Sequence, residues 1–192
     1  MRVEAKDQGE GRKNYMRVDS GDMNLIQLSE TPRHHPDCCV SLSTTLITQL
    51  CAILPAHPQY SISIGSGSGM LEALINQSNP QMHVHGVEVD QSMHKYLSEE
   101  MTLTVIGTHA LCSAAARAAA WLFVYPREVA LVERYVHELG DSIEKIVWLG
   151  PQMDWPDYEP IFKKRKDFDF SVQSSADCGL APYETLVVIE KI

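Results

Sequence analysis

Three glycines, Gly65, Gly67 and Gly69, fall between a β-rich run at 60–64 and a stretch in which Met70, Leu71, Leu74 and Ile75 recur at helical spacing. Glycine lets the backbone turn with positive φ and lets another molecule touch the main chain. The helix that follows presents unpaired N–H groups at its positive end. The chain is thereby committed to a strand–turn–helix unit whose turn is bare of side chains. In a doubly wound sheet such a turn opens at the carboxyl ends of the strands, near the point where the strand order reverses.

The rest of the sequence supports that architecture. Further strand candidates are 83–89, 102–106, 121–125, 143–149, 168–173 and 185–192, and helical patterns separate most of them. The alternation predicts parallel strands joined by crossovers. The last two candidates have only the loop 174–184 between them, so they must pair antiparallel. Upstream, Leu42, Leu46, Leu50, Ile53 and Leu54 predict a helix from Ser41 that stops at Pro55. Residues 1–36 are polar, end in Pro32 and Pro36, and read as an extension, either a tail or a lid that would carry His34 and His35 over the site. Residues 37–192 are expected to form a single domain, since 192 residues with 44% hydrophobic content sustain one core.

Composition narrows the function classes. Sixteen basic against twenty-five acidic residues leave a net charge of −9, which repels nucleic-acid backbones and anionic bilayers, so neither is an expected partner. The basic run Lys163-Lys164-Arg165-Lys166 reads as a solvated helix end. Five cysteines without a CxxC pair or zinc-type histidine spacing indicate neither a disulfide framework nor a metal site. With no apolar signal core at the N-terminus and no run of eighteen apolar residues, the chain is expected to be soluble and cytoplasmic.

Two ligand types suit the glycine turn, a dinucleotide and an adenosyl group. A GxGxxG dinucleotide loop would need its third glycine where Met70 stands. The segment HVHGVEVD at 83–90 ends its apolar run in Glu88, nineteen residues beyond Gly69. A carboxylate at the tip of the second strand is suited to accept hydrogen bonds from both hydroxyls of a ribose held over the turn.

With IGSGSG at 64–69, GVEVD at 86–90, seven strand candidates and a terminal hairpin, the sequence resembles the class I S-adenosylmethionine-dependent methyltransferases from about Ser41 to Ile192. The resemblance implies an α/β fold with a Rossmann-like seven-stranded sheet, mostly parallel with an antiparallel C-terminal strand. It implies S-adenosyl-L-methionine as cofactor, bound by Ser63, Gly65, Ser66, Gly67, Gly69, Glu88, Val89, Thr108 and His109. Ser63 stands where the family usually carries an acid, and Gly107-Thr108-His109-Ala110 replaces the stretch whose acid often meets the adenine amine. The loop after the fourth strand, with Tyr125 and Arg127, and the loop after the fifth, with Asp154, Trp155 and Tyr158, would face a small-molecule methyl acceptor. Tyr125 would orient the nucleophile and His109 would be the base if one is needed. Two alternatives stay open: a methyltransferase-like protein that has lost methyl transfer and works as a partner subunit or in a different reaction, and a nicotinamide-dependent oxidoreductase.

Overall fold

The computed structural model describes residues 26–192. The first twenty-five residues of the expected extension lie outside the described residues. The chain starts with a hairpin, β1 (Arg33–His35) and β2 (Cys38–Leu42), followed by α1 (Thr44–Ile53). Then come β3 (Ser61–Ile64), α2 (Met70–Ser78), β4 (Val84–Glu88), β5 (Thr102–Thr104), β6 (Ala120–Val124) and α3 (Val129–Leu139). The rest is β7 (Lys145–Pro151), α4 (Trp155–Lys163), β8 (Phe168–Gln173), the short α5 (Ser175–Cys178) and β9 (Glu184–Lys191).

Seven strands form one sheet in the order β5-β4-β3-β6-β7-β9-β8. The five strands from β5 to β7 run parallel, and β9 pairs antiparallel with both β7 and β8. The chain builds outward from β3 in one direction and then returns to build outward from β6 in the other. The strand order therefore reverses between the carboxyl ends of β3 and β6, with the glycine turn and Tyr125 on either side of that point.

Burial explains the strand assignments. The central strands SISI, AWLFV and KIVWLGP are buried along nearly their whole length, as strands covered on both faces must be. Edge strand β8 alternates more, and edge strand β5 has only three residues. One face of the sheet packs Leu46, Leu50, Met70 and Leu74 from α1 and α2. The other packs Val132, Tyr135, Trp155 and Phe162 from α3 and α4 around Trp121, Phe123 and Trp148.

Two local departures from the sequence reading have physical causes. The crossovers around β5 hold only 3₁₀ turns: Gln91–Met93 and Glu99–Met101 before it, where 89–101 is polar and offers no apolar stripe to bury, and Ser113–Arg117 after it. The first helix starts at Thr44 instead of near Ser41, since Ser41 and Leu42 extend β2 and Ser43 caps the helix by accepting from the Leu46 amide at 3.0 Å. The expected boundary at residue 36 falls in the turn of the β1–β2 hairpin, and Ile26 and Leu28 upstream of it pack against the α1/α2 face.

Candidate functional site at the strand-order reversal

Gly65, Gly67 and Gly69 all have positive φ, at 73°, 58° and 76°. A Cβ on Gly65 or Gly67 would meet no atom within 4 Å, so their bare faces open outward and not into packed protein. The turn thus needs glycine for its backbone conformation and leaves its surface free for a ligand. Glu88, at the end of the neighbouring strand, accepts from the Gly67 amide at 2.7 Å through Oε1 and from the Val89 amide at 3.2 Å through Oε2. A carboxylate offers about four lone-pair sites. Two of those on Glu88 stay available for a ribose. Ser66 Oγ shares a hydrogen bond of 2.9 Å with His94 Nε2, and Val89 is exposed beside Glu88.

Beneath the turn Ser63, a candidate from the sequence, forms a buried polar pair with Glu72, which the sequence analysis does not name. Ser63 is 0% exposed and Glu72, in the first turn of α2, is 1% exposed. The Ser63 hydroxyl is near enough to favour the charged form of Glu72, yet neither Ser63 Oγ nor Glu72 Oε2 reaches a partner in hydrogen-bonding geometry. Burial, reinforced weakly by the Glu88 charge, pushes the Glu72 carboxyl up to about 7. Cys38 of β2 is pushed up to about 12, chiefly by burial and then by Glu72. For Glu72 the sequence signal was an acid inside the apolar run of α2.

A raised carboxyl pKa has a definite sign in stability. The folded chain holds the Glu72 proton more tightly than the unfolded one, so this contribution declines as pH rises from the ordinary glutamate range through about 7. Thermal unfolding from pH 5 to 8 is expected to show Tm falling across that window, and Glu72→Gln, neutral throughout, should flatten the fall. Parallel curves for the two proteins would show that Glu72 ionises freely.

Across the reversal point, Tyr125 adopts φ 50°, unusual for a residue with a side chain. Its hydroxyl donates to Glu184 Oε1 at 2.5 Å. Glu184, at the start of β9, is buried and also accepts from the Ser41 amide at 3.0 Å, the Ala181 amide at 3.1 Å and the Ser41 hydroxyl. Burial, then the bond to Glu184, drives the Tyr125 phenol far above its usual range. Tyr125 is therefore a neutral hydroxyl at physiological pH and not a base.

The β1–β2 hairpin ties both sides of this region together. Ser68 Oγ of the glycine turn donates to the Asp37 carbonyl at 2.6 Å, and the Asp37 carboxylate accepts from Lys95 at 2.6 Å and Tyr96 at 2.8 Å. At the other end, the His34 ring stacks on Tyr183 at 6.0 Å and hydrogen-bonds to its hydroxyl. His34 thus lies next to the carboxyl-end rim.

The remaining sequence candidates separate. Trp155 and Tyr158 are 6% and 3% exposed and sit in the core instead of on a pocket wall. Trp155 packs between Trp148, Phe162 and Phe170 because α4 turns its apolar stripe onto the sheet. Tyr158 keeps one link to the site, donating to the Pro126 carbonyl at 2.5 Å and so supporting the loop after β6. Arg127 is exposed, and Asp154 is half-buried at the start of α4. Thr108 and His109 lie in an exposed turn after β5, where the His109 carbonyl accepts from Arg134 of α3 at 2.6 Å. Among the described residues no hydrogen bond joins His109 to Tyr125 or to the glycine turn. The basic run at 163–166 makes surface ion pairs, Lys163 with Glu159, Lys164 with Glu133, and Arg165 with Asp141 and Asp167. Two depressions of about 360 and 340 Å³ lie elsewhere, between α1 and α2 and below the amino ends of β3 and β6.

No group of three or more His, Cys, Asp and Glu side chains among the described residues is arranged to hold a metal, and none of their helices is long and apolar enough to cross a membrane. No family model matches the chain, and no curated protein matches its sequence. Solved structures do match its fold. The plantazolicin methyltransferase BpumL in complex with SAH is 11% identical with a TM-score of 0.54, over 77% of this chain and 82% of that one. The methyltransferase domain of bacterial CtHen1-C is 12% identical with a TM-score of 0.56, over 77% and 95%. An rRNA methylase from Streptococcus thermophilus is 12% identical with a TM-score of 0.54, over 76% and 93%. Together with the strand order and its antiparallel C-terminal strand, these matches give the chain the class I S-adenosylmethionine-dependent methyltransferase fold.

Proposed function

We propose that this chain is an S-adenosylmethionine-dependent methyltransferase acting on a small molecule. The observation that carries the reading is the open backbone of Gly65 and Gly67 at positive φ beside the Glu88 carboxylate, at the reversal of strand order. A nucleoside fits such a surface, with its ribose on Glu88 and its remaining atoms along the main chain of Ser63, Gly65, Ser66, Gly67 and Gly69. Val89 supplies apolar surface next to the ribose, and Thr108 and His109 edge the same end of the sheet.

S-adenosylmethionine, when bound, supplies a methyl group on a sulfonium, ready for in-line displacement by an acceptor's lone pair. The protein's part is alignment and exclusion of water. Tyr125 serves here as a fixed hydroxyl. Its proton is given to Glu184, so its oxygen keeps lone pairs to receive an N–H or O–H of the acceptor. The exposed Arg127, two residues on, is suited to an acceptor carboxylate, and Asp154 at the start of α4 to a cationic group. His109 is exposed and joined to neither, so the reading gives it no proton-transfer role. The net charge of −9 and the hairpin tied across the rim favour a small acceptor over a nucleic acid.

Isothermal titration with S-adenosylhomocysteine is expected to show binding with a dissociation constant in the micromolar range, about −8 kcal/mol. Absence of heat at millimolar ligand would remove the reading. One observation favours a chain with the fold but no methyl transfer: Ser66 in the glycine turn is already engaged by His94. Binding of S-adenosylhomocysteine without methyl transfer to any member of a broad acceptor panel would support that second reading.

A further inference from the structure

The side chains of Glu72 and Ser63 are unused by the function proposed above. A fully buried carboxyl with an unpartnered oxygen is costly, and such groups call for a specific explanation. Glu72 Oε2 and Ser63 Oγ are both in that state, side by side beneath the glycine turn. Among the described residues no cation acts on Glu72. The charged groups around it are the Glu88 carboxylate of β4 and, from β2, Cys38, which stays a neutral thiol.

The ligand proposed above carries an ammonium on its amino-acid part. The positive amino end of α2 suits its carboxylate and repels that ammonium. Glu88 is committed to the Gly67 amide and, in this reading, to the ribose. The remaining carboxylate at the turn is Glu72. We propose that Glu72, reaching from the first turn of α2 beside Ser63, holds the ammonium of the cofactor's amino-acid part. The inference rests on the cofactor reading and extends it to a residue outside the glycine motif. It also accounts for the buried acid, whose ionised form gains a partner when the ligand arrives. A carboxyl pushed up to about 7 should then lose its proton on binding.

The test is calorimetry on the full chain with two probes, S-adenosylhomocysteine and 5′-methylthioadenosine, which lacks the amino-acid part. The wild type should bind both. Glu72→Gln should weaken S-adenosylhomocysteine at least tenfold and leave methylthioadenosine within about twofold. Adding Ser63→Asp to that variant returns a carboxylate to the same space and should restore most of the loss. At pH 7, titrations of wild type in buffers of different ionisation enthalpy should show release of about half a proton with S-adenosylhomocysteine and none with methylthioadenosine. Unchanged affinity of Glu72→Gln for S-adenosylhomocysteine overturns the inference, as does equal weakening for both probes, which would mark a purely structural acid. If the variant does not fold, equal proton counts for the two probes in wild type overturn it instead. If wild type binds neither probe, the cofactor reading itself falls, and the inference with it.

Discussion

Glu184→Ala is expected to lower the stability of the chain by about 4 kcal/mol. Glu184 gathers the Ser41 amide and hydroxyl, the Ala181 amide and the Tyr125 hydroxyl onto one buried carboxylate. Alanine would leave at least two of these donors buried without an acceptor, at about 1–3 kcal/mol each, and would open a cavity at the end of β9. The same change removes the side-chain anchor of Tyr125, whose backbone at φ 50° keeps the bond from its amide to the Leu149 carbonyl at 2.7 Å. Tyr125→Phe loses only one donor and should cost about 1 kcal/mol. Urea unfolding of the two single variants and the double variant measures both the losses and the coupling between the residues. A loss below 1 kcal/mol for Glu184→Ala would show that water readily replaces the carboxylate and that the network holds nothing in place.

The sheet was legible because its signals are local. Runs such as AWLFV and ETLVVIE declare buried strands by composition, and the loop 174–184 is too short for a parallel return, so the antiparallel end of the sheet followed from chain length alone. The glycine turn was legible because its backbone conformation excludes other residues, and Glu88 because it ends a strand at a readable separation. What escaped was long-range. Glu184 meets Ser41 across 143 residues, and Asp37 meets Tyr96 across 59. No periodicity encodes such pairings. Trp155 was ambiguous in the sequence: aromatic residues in a loop at the carboxyl end suit a pocket wall or a helix start packed on the sheet, and the helix that starts there turns Trp155 onto Trp148. Tyr125 ends a strand run that the sequence makes readable, while its bond to Glu184 exists only because the fold brings the two residues together. The hairpin over the rim was similarly hidden, since β1 has three residues and an unremarkable composition.

Glu88→Ala is expected to weaken S-adenosylhomocysteine binding by about 1.5–3 kcal/mol, the share of a hydrogen-bonded charged group, or roughly tenfold to 150-fold. The structure complicates that number, because the same carboxylate holds the Gly67 amide at 2.7 Å and so shapes the turn it is meant to serve. Alanine would remove both effects together. Glu88→Gln separates them. Its amide oxygen can still accept from the Gly67 N–H, which preserves the turn, but its NH₂ cannot accept from a ribose hydroxyl. If the carboxylate binds ribose, Glu88→Gln should lose most of the affinity that Glu88→Ala loses while keeping the wild-type Tm. If it only braces the glycine turn, Glu88→Gln should bind like wild type and Glu88→Ala alone should be impaired, with a lowered Tm to match. Calorimetry with methylthioadenosine sharpens the choice, since that ligand has the ribose and lacks the amino-acid part. A ribose contact predicts the same loss for both ligands, because the two share the hydroxyls that Glu88 would receive.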